Sequence, residues 1–229
     1  MKGLTRTTTF SLALCSALAL SQAQAQAQAP AAADVYHVLF AKAAPGQAAA
    51  LAKELQEQDP KDPMASHYLL LRHQSGDDWD YCLIQHLGTK AAVDVTNANP
   101  NSPPTMAWHT DTFVAGPSWA DVTRALLPTD AKAASSAYIV AVLQSVPGHR
   151  SQLDGLVRQI NTDAKVPVSN LVFTHLEGGP WQFLTVDRYN SWQDLATDRA
   201  PAANDAGWLQ VREHVAFHRD TIADRIVPK

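Results

Sequence analysis

The chain has 229 residues, of which 46% are hydrophobic, 18 are basic and 22 are acidic, and its formal net charge is −4. This length and composition allow a sizeable core, in one large domain or two small ones. The mildly acidic balance and the lack of basic runs exclude nucleic acid and anionic membrane surfaces as expected partners.

The N-terminal segment is typical of a secretory signal peptide. Two basic residues, Lys2 and Arg6, come first, and an apolar stretch follows at 10–20. Small residues then occupy alternate positions in 21–30. We predict a signal peptide over residues 1–25, with cleavage after Ala25 or Ala27. A disordered Ala/Gln/Pro linker is predicted over 26–33. The apolar stretch is too short to span a bilayer, so we expect a periplasmic or secreted protein whose mature chain does not insert into the membrane.

The mature chain is predicted to be more acidic than the full sequence and to lack disulfides. Without Lys2 and Arg6 the 18 basic residues become 16, against 22 acidic ones, so the net charge is about −6. Cys82 is then the sole cysteine, because Cys15 lies in the signal peptide. The core must therefore stabilise the fold unaided.

An internal repeat organises the rest of the chain. A shift of 102 residues superposes aromatic, histidine and turn positions without a gap: Tyr36 on Tyr138, Pro45-Gly46 on Pro147-Gly148, Leu51 on Leu153, His73 on His175, Gly76 on Gly178 and Trp79 on Trp181. Such agreement at a single offset is improbable by chance. We therefore predict two repeats, over 34–128 and 135–229.

Each repeat is predicted to contain a strand, a helix, a two-stranded hairpin and a short helix. The strands are rich in β-branched and aromatic residues, the first helix has an apolar stripe, and a Gly-containing turn joins the hairpin strands. In the first repeat the segments are DVYHVLFAKA, the helix with Ala48, Leu51, Ala52 and Leu55, HYLLLRH, WDYCLIQHL and TKAAVDV. In the second they are SAYIVAVLQS, the helix with Leu153, Leu156, Val157 and Ile160, NLVFTHL, WQFLTVDRY and SWQDLATD.

A His-x-Asp-Thr motif follows in each repeat, at a different offset. WHTDTF at 108–113 matches FHRDTI at 217–222 after a shift of 109, so seven residues have entered the second repeat before the motif. A long C-terminal helix is predicted from residues that recur at steps of three and four: Trp208, Val211, Val215, His218, Ile222 and Ile226. Asn204 or Asp205 can cap its start. In the first repeat, Gly116-Pro117 shortens the corresponding helix, and WADVTRALL begins another.

The order strand, helix, hairpin, helix, written twice, resembles the dimeric α+β barrel superfamily over about residues 34–229. The resemblance implies an α+β fold class, with two ferredoxin-like repeats packed as an intramolecular, pseudo-dimeric α+β barrel. It also implies two four-stranded sheets packed face to face and a cavity between a sheet and its covering elements. The best candidates for the fourth strands are FVAG at 113–116 and RIVPK at the terminus. Superfamily members include cofactor-independent monooxygenases, haem-handling enzymes, isomerases and cyclases.

Repetition of the motif selects the candidate catalytic residues. We predict His109 and His218 as bases, and Asp111 and Asp220 as the groups that orient them. On a helix, residues two apart point away from each other, so each aspartate is expected to reach a different element. The threonines of the motif are expected to hydrogen-bond to the helix backbone. In the alternative interpretation, each histidine is a core residue bonded to a carbonyl or carboxylate.

Three other repeated pairs are predicted to bind a ligand: His73 and His175, Tyr36 and Tyr138, and Trp79 and Trp181. The histidines end the second strand of each repeat, and the aromatic residues can form the wall of an apolar cavity. Alternatively, the histidines satisfy nearby carbonyls and the aromatic residues fill the core. The other histidines are interpreted as surface or ordinary strand residues (His37, His67 and His86) and as a solvated turn residue (His149).

These residues predict an exported protein that binds a small apolar or aromatic molecule, with oxygenase-like or acid–base chemistry and without a cofactor or metal. An alternative metal site is His214 with His218, which share a face if that segment is helical. A non-catalytic carrier of haem or of an aromatic compound is another alternative, because His218 on an apolar helix face suits an axial haem ligand. A self-associating envelope component is the third, and a homodimer of the fused pair stays open.

Overall fold

The computed structural model describes residues 33–57, 64–88, 103–129, 135–163, 169–199 and 206–227. Their elements, in chain order, are β1 (Asp34–Ala43), α1 (Ala48–Gln56), β2 (Tyr68–Ser75), β3 (Tyr81–Gly88), β4 (Met106–Gly116), α2 (Trp119–Leu126), β5 (Ala137–Ser145), α3 (Arg150–Asp163), β6 (Ser169–Glu177), β7 (Phe183–Tyr189), α4 (Trp192–Arg199), α5 (Ala206–His214) and β8 (Val215–Arg225). The signal peptide, TKAAVDV and the proposed caps Asn204 and Asp205 lie outside the described residues. Among the helices that are described, none is long and apolar enough to cross a membrane.

The eight strands form one closed antiparallel barrel, in the order β1-β3-β2-β8-β5-β7-β6-β4, with β4 returning to β1. The fourth strand of each repeat pairs with the first strand of its own repeat and with the second strand of the other. The two repeats are therefore joined by the strand pairs β2–β8 and β4–β6, which we call the seams. The predicted pseudo-dimeric α+β barrel is confirmed, and its two four-stranded sheets also join at their edges. A closed barrel has no free edge strand, so it needs no further chain to complete its hydrogen bonding.

The predicted C-terminal helix is wrong for most of its length. Helix α5 ends at His214, and β8 follows at once and pairs along the whole of β5, with one register shift between Gln144 and Ser145. The spacing of apolar residues also fits a helix, but β5 and β2 provide backbone partners on both sides of β8, and these remote hydrogen bonds decide the conformation. The fourth strands, β4 and β8, have 11 residues each and contain the His-x-Asp-Thr motif, so the shorter helix expected at the motif of the first repeat is also wrong.

Alternation along the strands separates an inner from an outer face. On β1, Tyr36, Val38 and Phe40 belong to the core inside the barrel, whereas Leu39 and Ala41 pack beneath α1. In the second repeat, the outer face of β5 packs against α3 in the same way. The helices α1 and α3 occur where the apolar stripes predicted them.

Helix α2, predicted from WADVTRALL, lies at one end of the barrel. It begins after Ser118, whose hydroxyl accepts a hydrogen bond from the Asp121 N–H at 3.2 Å. Val122 and Leu126 are completely buried and join the core inside the barrel. Burial of each such side chain contributes about 1.5–3 kcal/mol. The β2–β3 and β6–β7 turns lie at the opposite end.

Candidate functional site

A cavity of about 310 Å³ lies at the barrel end formed by the β2–β3 and β6–β7 turns. We call it the barrel-mouth cavity. Its wall is built from β1, β4, β5, β8 and both turns, so each repeat contributes to it. One chain therefore completes the cavity without a second copy.

Five aromatic side chains form much of the wall. Trp79 and Trp181 are only 3% and 6% exposed, and their ring centroids lie 5.4 and 6.4 Å from the ring of Phe40. Trp108 and Phe217 occupy equivalent positions on β4 and β8 and are 37% and 36% exposed. Three buried rings thus line the cavity and two exposed rings stand at its opening.

The charged groups of the cavity lie in one half of it. Arg219 on β8 forms an ion pair with Asp77 in the β2–β3 turn, and its guanidinium carbon lies 5.3 Å from the centroid of the Phe217 ring. Asp78 also lines the cavity, and no described residue pairs with its carboxylate. The corresponding residues of the other half are uncharged: Thr110, Gly179 and Pro180. The pseudo-symmetric barrel therefore holds an asymmetric cavity.

The threonines of the repeated motif hold the two turns. The Gly179 N–H donates to Thr112 Oγ1 at 3.1 Å, and the Asp77 N–H donates to Thr221 Oγ1 at 3.2 Å. Each turn is thus bonded to the fourth strand of the other repeat, and both threonines are buried. The expected bond from these threonines to a helix backbone is wrong, because the motif lies on strands.

Glycine permits the close approach of turn and strand on which these hydrogen bonds depend. Gly76 and Gly178 have φ of 132° and 109°, which other residues rarely adopt. A Cβ atom on Gly76 would lie 2.5 Å from the carbonyl oxygen of Asp220. A Cβ atom on Gly178 would overlap the carbonyl oxygen of Asp111. Packing between the repeats therefore accounts for the repeated glycine and, through the hydrogen bonds above, for the repeated threonine.

His73 and His175 lie on the inner face, beside the cavity tryptophans. Their ring centroids are 5.6 Å from that of Trp79 and 5.9 Å from that of Trp181, in edge-to-face arrangements. The Nε2 atom of each is buried and has no hydrogen-bond partner among the described residues. Burial lowers the pKa of His175, while the backbone of Gly178 partly offsets this effect. Neither imidazole lines the cavity, but each contacts a ring that does.

The His–Asp pairs of the motif lie on the outer face of their strands. His109 Nε2 is 3.0 Å from Asp111 Oδ2, and His218 Nε2 is 2.7 Å from Asp220 Oδ1. Such pairs were expected not to form within the segment, and this is wrong because residues two apart share a face on a strand. The cavity is lined instead by the alternate residues of the same strands.

Cross-strand register confirms this placement of His109 and Asp111. They stand opposite Ala41 and Leu39, which pack beneath α1 outside the barrel. Asp111 also reaches a second element, as expected, because His37 Nε2 lies 2.7 Å from its Oδ1. The hydrogen bond from His37 is the largest cause that lowers the pKa of Asp111.

Tyr36 and Tyr138 lie inside the barrel near α2, and neither lines the barrel-mouth cavity. Their hydroxyls donate to the carbonyl oxygens of Pro117 and Leu126, at 2.6 and 2.7 Å. Burial is the largest cause that raises the pKa of each tyrosine, so both hydroxyls keep the proton that they donate. These bonds attach the α2 segment to the barrel.

His214 and His218 do not share a helical face, because His214 ends α5 and His218 lies in β8. The Nδ1 atom of His214 lies instead 2.8 Å from Nδ1 of His149, which therefore has a partner in its turn. Within the described ranges, no group of three or more His, Cys, Asp or Glu side chains is arranged to hold a metal ion.

A histidine cluster lies at the α2 end of the barrel. His86 Nε2 is 2.9 Å from Asp34 Oδ2, and its Nδ1 is 3.2 Å from His67 Nδ1. Trp119 of α2 stacks on both imidazoles, with centroid distances of 5.0 and 5.5 Å. His86 is buried rather than at the surface. Sequence patterns do not reveal this cluster, because its members come from separate segments.

Acidification is expected to destabilise the barrel through His86 and His175. Burial is the largest cause that lowers the pKa of each below the ordinary 6.5. The unfolded chain then binds protons that the folded chain does not, so this stability is complete above pH 6.5 and declines as the pH falls below it. Thermal unfolding from about pH 8 to about pH 5 measures the effect. The variant His86→Gln/His175→Gln should respond less to pH, and an unchanged slope would contradict this origin.

Sequence reasoning missed the polar half of the cavity and its rim. Asp77, Asp78 and Arg219 belong to no repeated pair of like residues. If the motif had been interpreted as a strand, part of the cavity wall could have been predicted. In a strand, Trp108 and Phe217 lie on the face opposite the motif histidines.

Neither a protein-family model nor a curated protein sequence matches the chain. Among solved structures, an anthrone oxidase-like protein has a TM-score of 0.59 at 15% identity, over 86% of this chain and 93% of that one. A proposed monooxygenase from Fusobacterium nucleatum subsp. nucleatum has a TM-score of 0.58 at 10% identity, over 86% and 94%. Another, from Lactobacillus acidophilus NCFM, has a TM-score of 0.53 at 10% identity, over 86% and 100%. The chain therefore has the fold of the dimeric α+β barrel superfamily, with both ferredoxin-like halves in one polypeptide.

Proposed function

We propose that the chain binds a small, largely apolar aromatic molecule in the barrel-mouth cavity. The observation that carries this proposal is the wall of five aromatic rings around a volume of about 310 Å³. Small-molecule sites typically occupy about 300–1,000 Å³ and are lined by apolar and aromatic side chains with a few polar groups. Trp108 and Phe217 are exposed at the opening, where a bound ligand would cover them.

Oxygenase-like or acid–base chemistry on the bound molecule is the proposed reaction class. The named activities of the fold neighbours, an anthrone oxidase-like protein and two proposed monooxygenases, support this class. Asp78 is a cavity carboxylate without a described partner, so it can accept a proton from a C–H group next to a carbonyl. His109 and His218 lie on the outer face, so the proposal does not use them as bases.

The predicted signal peptide supports export, and we propose a periplasmic or secreted location on that basis. A haem carrier receives less support from the structure. His218 Nε2 lies 2.7 Å from Asp220 on the outer face of β8, so His218 does not fit as an axial ligand in this cavity.

The binding proposal is tested with the neutral fluorescent probe N-phenyl-1-naphthylamine. We expect saturable binding at one site per chain, displacement of the probe by anthrone, and oxygen uptake when anthrone is present. Base-assisted removal of a proton from the anthrone CH₂ group leaves a carbanion that dioxygen oxidises, and the products are anthraquinone and water.

The outcomes separate binding from chemistry. Displacement without oxygen uptake would leave a binding protein, and no saturable binding would overturn the proposal. The variant His109→Ala/His218→Ala serves as the matched control, because its substitutions lie outside the cavity. It should bind the probe as the unaltered protein does.

A further inference from the structure

We propose that the barrel-mouth cavity selects a ligand with a positive charge, an aryl or alkyl ammonium. This inference rests on the proposed function, since it specifies the charge of the molecule that the cavity binds. Two independent features carry it: the charges in the cavity wall and the arrangement of its aromatic rings.

The wall has one more negative than positive group. Its charged residues are Asp77, Asp78 and Arg219, and no histidine lines the cavity. Arg219 and Asp77 form an ion pair and offset each other, so the carboxylate of Asp78 is left in excess. The whole chain has the same sign, with a formal net charge of −4. The potential in the cavity therefore favours cations.

For an anionic ligand, the cation among the described lining residues, Arg219, is already paired with a carboxylate. An anionic ligand that bound Arg219 would compete with Asp77, whose backbone N–H donates to Thr221 and whose Oδ1 accepts the Asp78 N–H at 2.9 Å. Displacement would leave the Asp77 carboxylate without its cation and beside Asp78. The anion would also share the cavity with the carboxylate of Asp78, so we expect it to bind more weakly than a neutral ligand of similar shape.

The aromatic rings offer one cation-binding face that the protein already uses and one that it leaves for a ligand. The Arg219 guanidinium lies 5.3 Å from the Phe217 ring centroid, within the range of a cation–π contact. On β4, Trp108 corresponds to Phe217, but Thr110 stands where Arg219 would be. Strand β4 thus supplies no cation to Trp108, and the side chain of Lys42, opposite Trp108 on β1, is paired with Asp80 at 2.9 Å. Tryptophan is the best cation–π partner, and quaternary ammonium ligands are commonly bound among aromatic rings.

A matched series of ligands tests the sign of the charge in competition with N-phenyl-1-naphthylamine. (4-Hydroxyphenyl)trimethylammonium and 4-tert-butylphenol have nearly the same shape and differ in charge, and 4-tert-butylbenzoate provides the anion. We expect the cation to displace the probe at about fivefold lower concentration than the neutral compound, and the anion to be the weakest. Added salt should reduce the difference.

Two charge variants locate the effect. Asp78→Asn should lower the preference for the cation by about threefold or more, whereas Glu213→Gln removes the same charge from α5 and should leave the preference intact. Circular dichroism verifies that both variants fold.

The possible results distinguish this inference from the proposed function. If the neutral compound or the anion displaces the probe as well as the cation does, the charge selection is overturned while the binding proposal stands. Equal preference in Asp78→Asn and the unaltered protein would also overturn it. If neither the probe nor any of the three compounds binds, both proposals fail.

Discussion

Replacement of Gly76 or Gly178 with alanine is expected to lower the free energy of unfolding by about 2–5 kcal/mol. Both glycines have φ values that alanine adopts only with strain. The added Cβ would also meet strand backbone, 2.5 Å from the Asp220 carbonyl oxygen in the case of Gly76. Backbone within a paired strand cannot move aside cheaply, so the two costs add. Urea denaturation measures the loss.

Gly46 and Gly148 provide matched controls for this prediction. Their φ values are also positive, 76° and 84°, but a Cβ atom on either would meet nothing within 4 Å. Their replacement by alanine should therefore cost only the backbone strain of about 1–2 kcal/mol. Equal losses at all four glycines would mean that the contact between the repeats is not what requires Gly76 and Gly178.

The variant Trp108→Ala/Phe217→Ala is expected to weaken binding of N-phenyl-1-naphthylamine by roughly 30-fold, or about 2 kcal/mol. Both rings line the cavity, so their removal takes away apolar contact area at its opening. The free energy of unfolding should fall by less than for fully buried rings, because the two side chains are 37% and 36% exposed. Probe titration and urea denaturation of the same samples measure the two quantities.

Trp192→Ala is the control for loss of an exposed tryptophan. Trp192 begins α4, is 45% exposed and does not line the cavity, so its replacement should leave probe affinity unchanged. Comparable weakening by this variant would contradict the position of the binding site, as would full retention of affinity in Trp108→Ala/Phe217→Ala.

The repeat predicted much of the fold because its signals are local. The Pro-Gly turns, the apolar stripes of α1 and α3 and the alternating hairpin strands each lie within a short stretch of chain, and all are found where they were expected. Of the two candidates for the fourth strands, FVAG lies within β4, but RIVPK is wrong, because β8 shares only Arg225 with it. The apolar spacing in 208–226 has the period of a helix, and the strand forms through pairing with β5 and β2, which no local pattern contains.

The candidate site was predicted in part. Trp79 and Trp181 form the cavity wall, one of the two roles that repetition suggested for them. The threonine of the repeated motif has a structural role, because its hydroxyl accepts a hydrogen bond from a backbone N–H in the turn of the other repeat. Asp77 and Arg219 could not be paired from the sequence, because they are 142 residues apart and no repeat links them.

By itself the sequence determined that this protein is a duplicated α+β unit with a predicted export signal and repeated aromatic positions, since each of these is a pattern among neighbouring residues or an identity at one offset. Only the tertiary structure decided which face of each fourth strand lies toward the interior of the barrel. Strand pairing across the two seams places Trp108, Phe217 and Arg219 in the cavity and the His–Asp pairs outside it. The physical reason is that a strand is completed by partners that are distant along the chain, and its period of two then assigns every side chain to one face or the other.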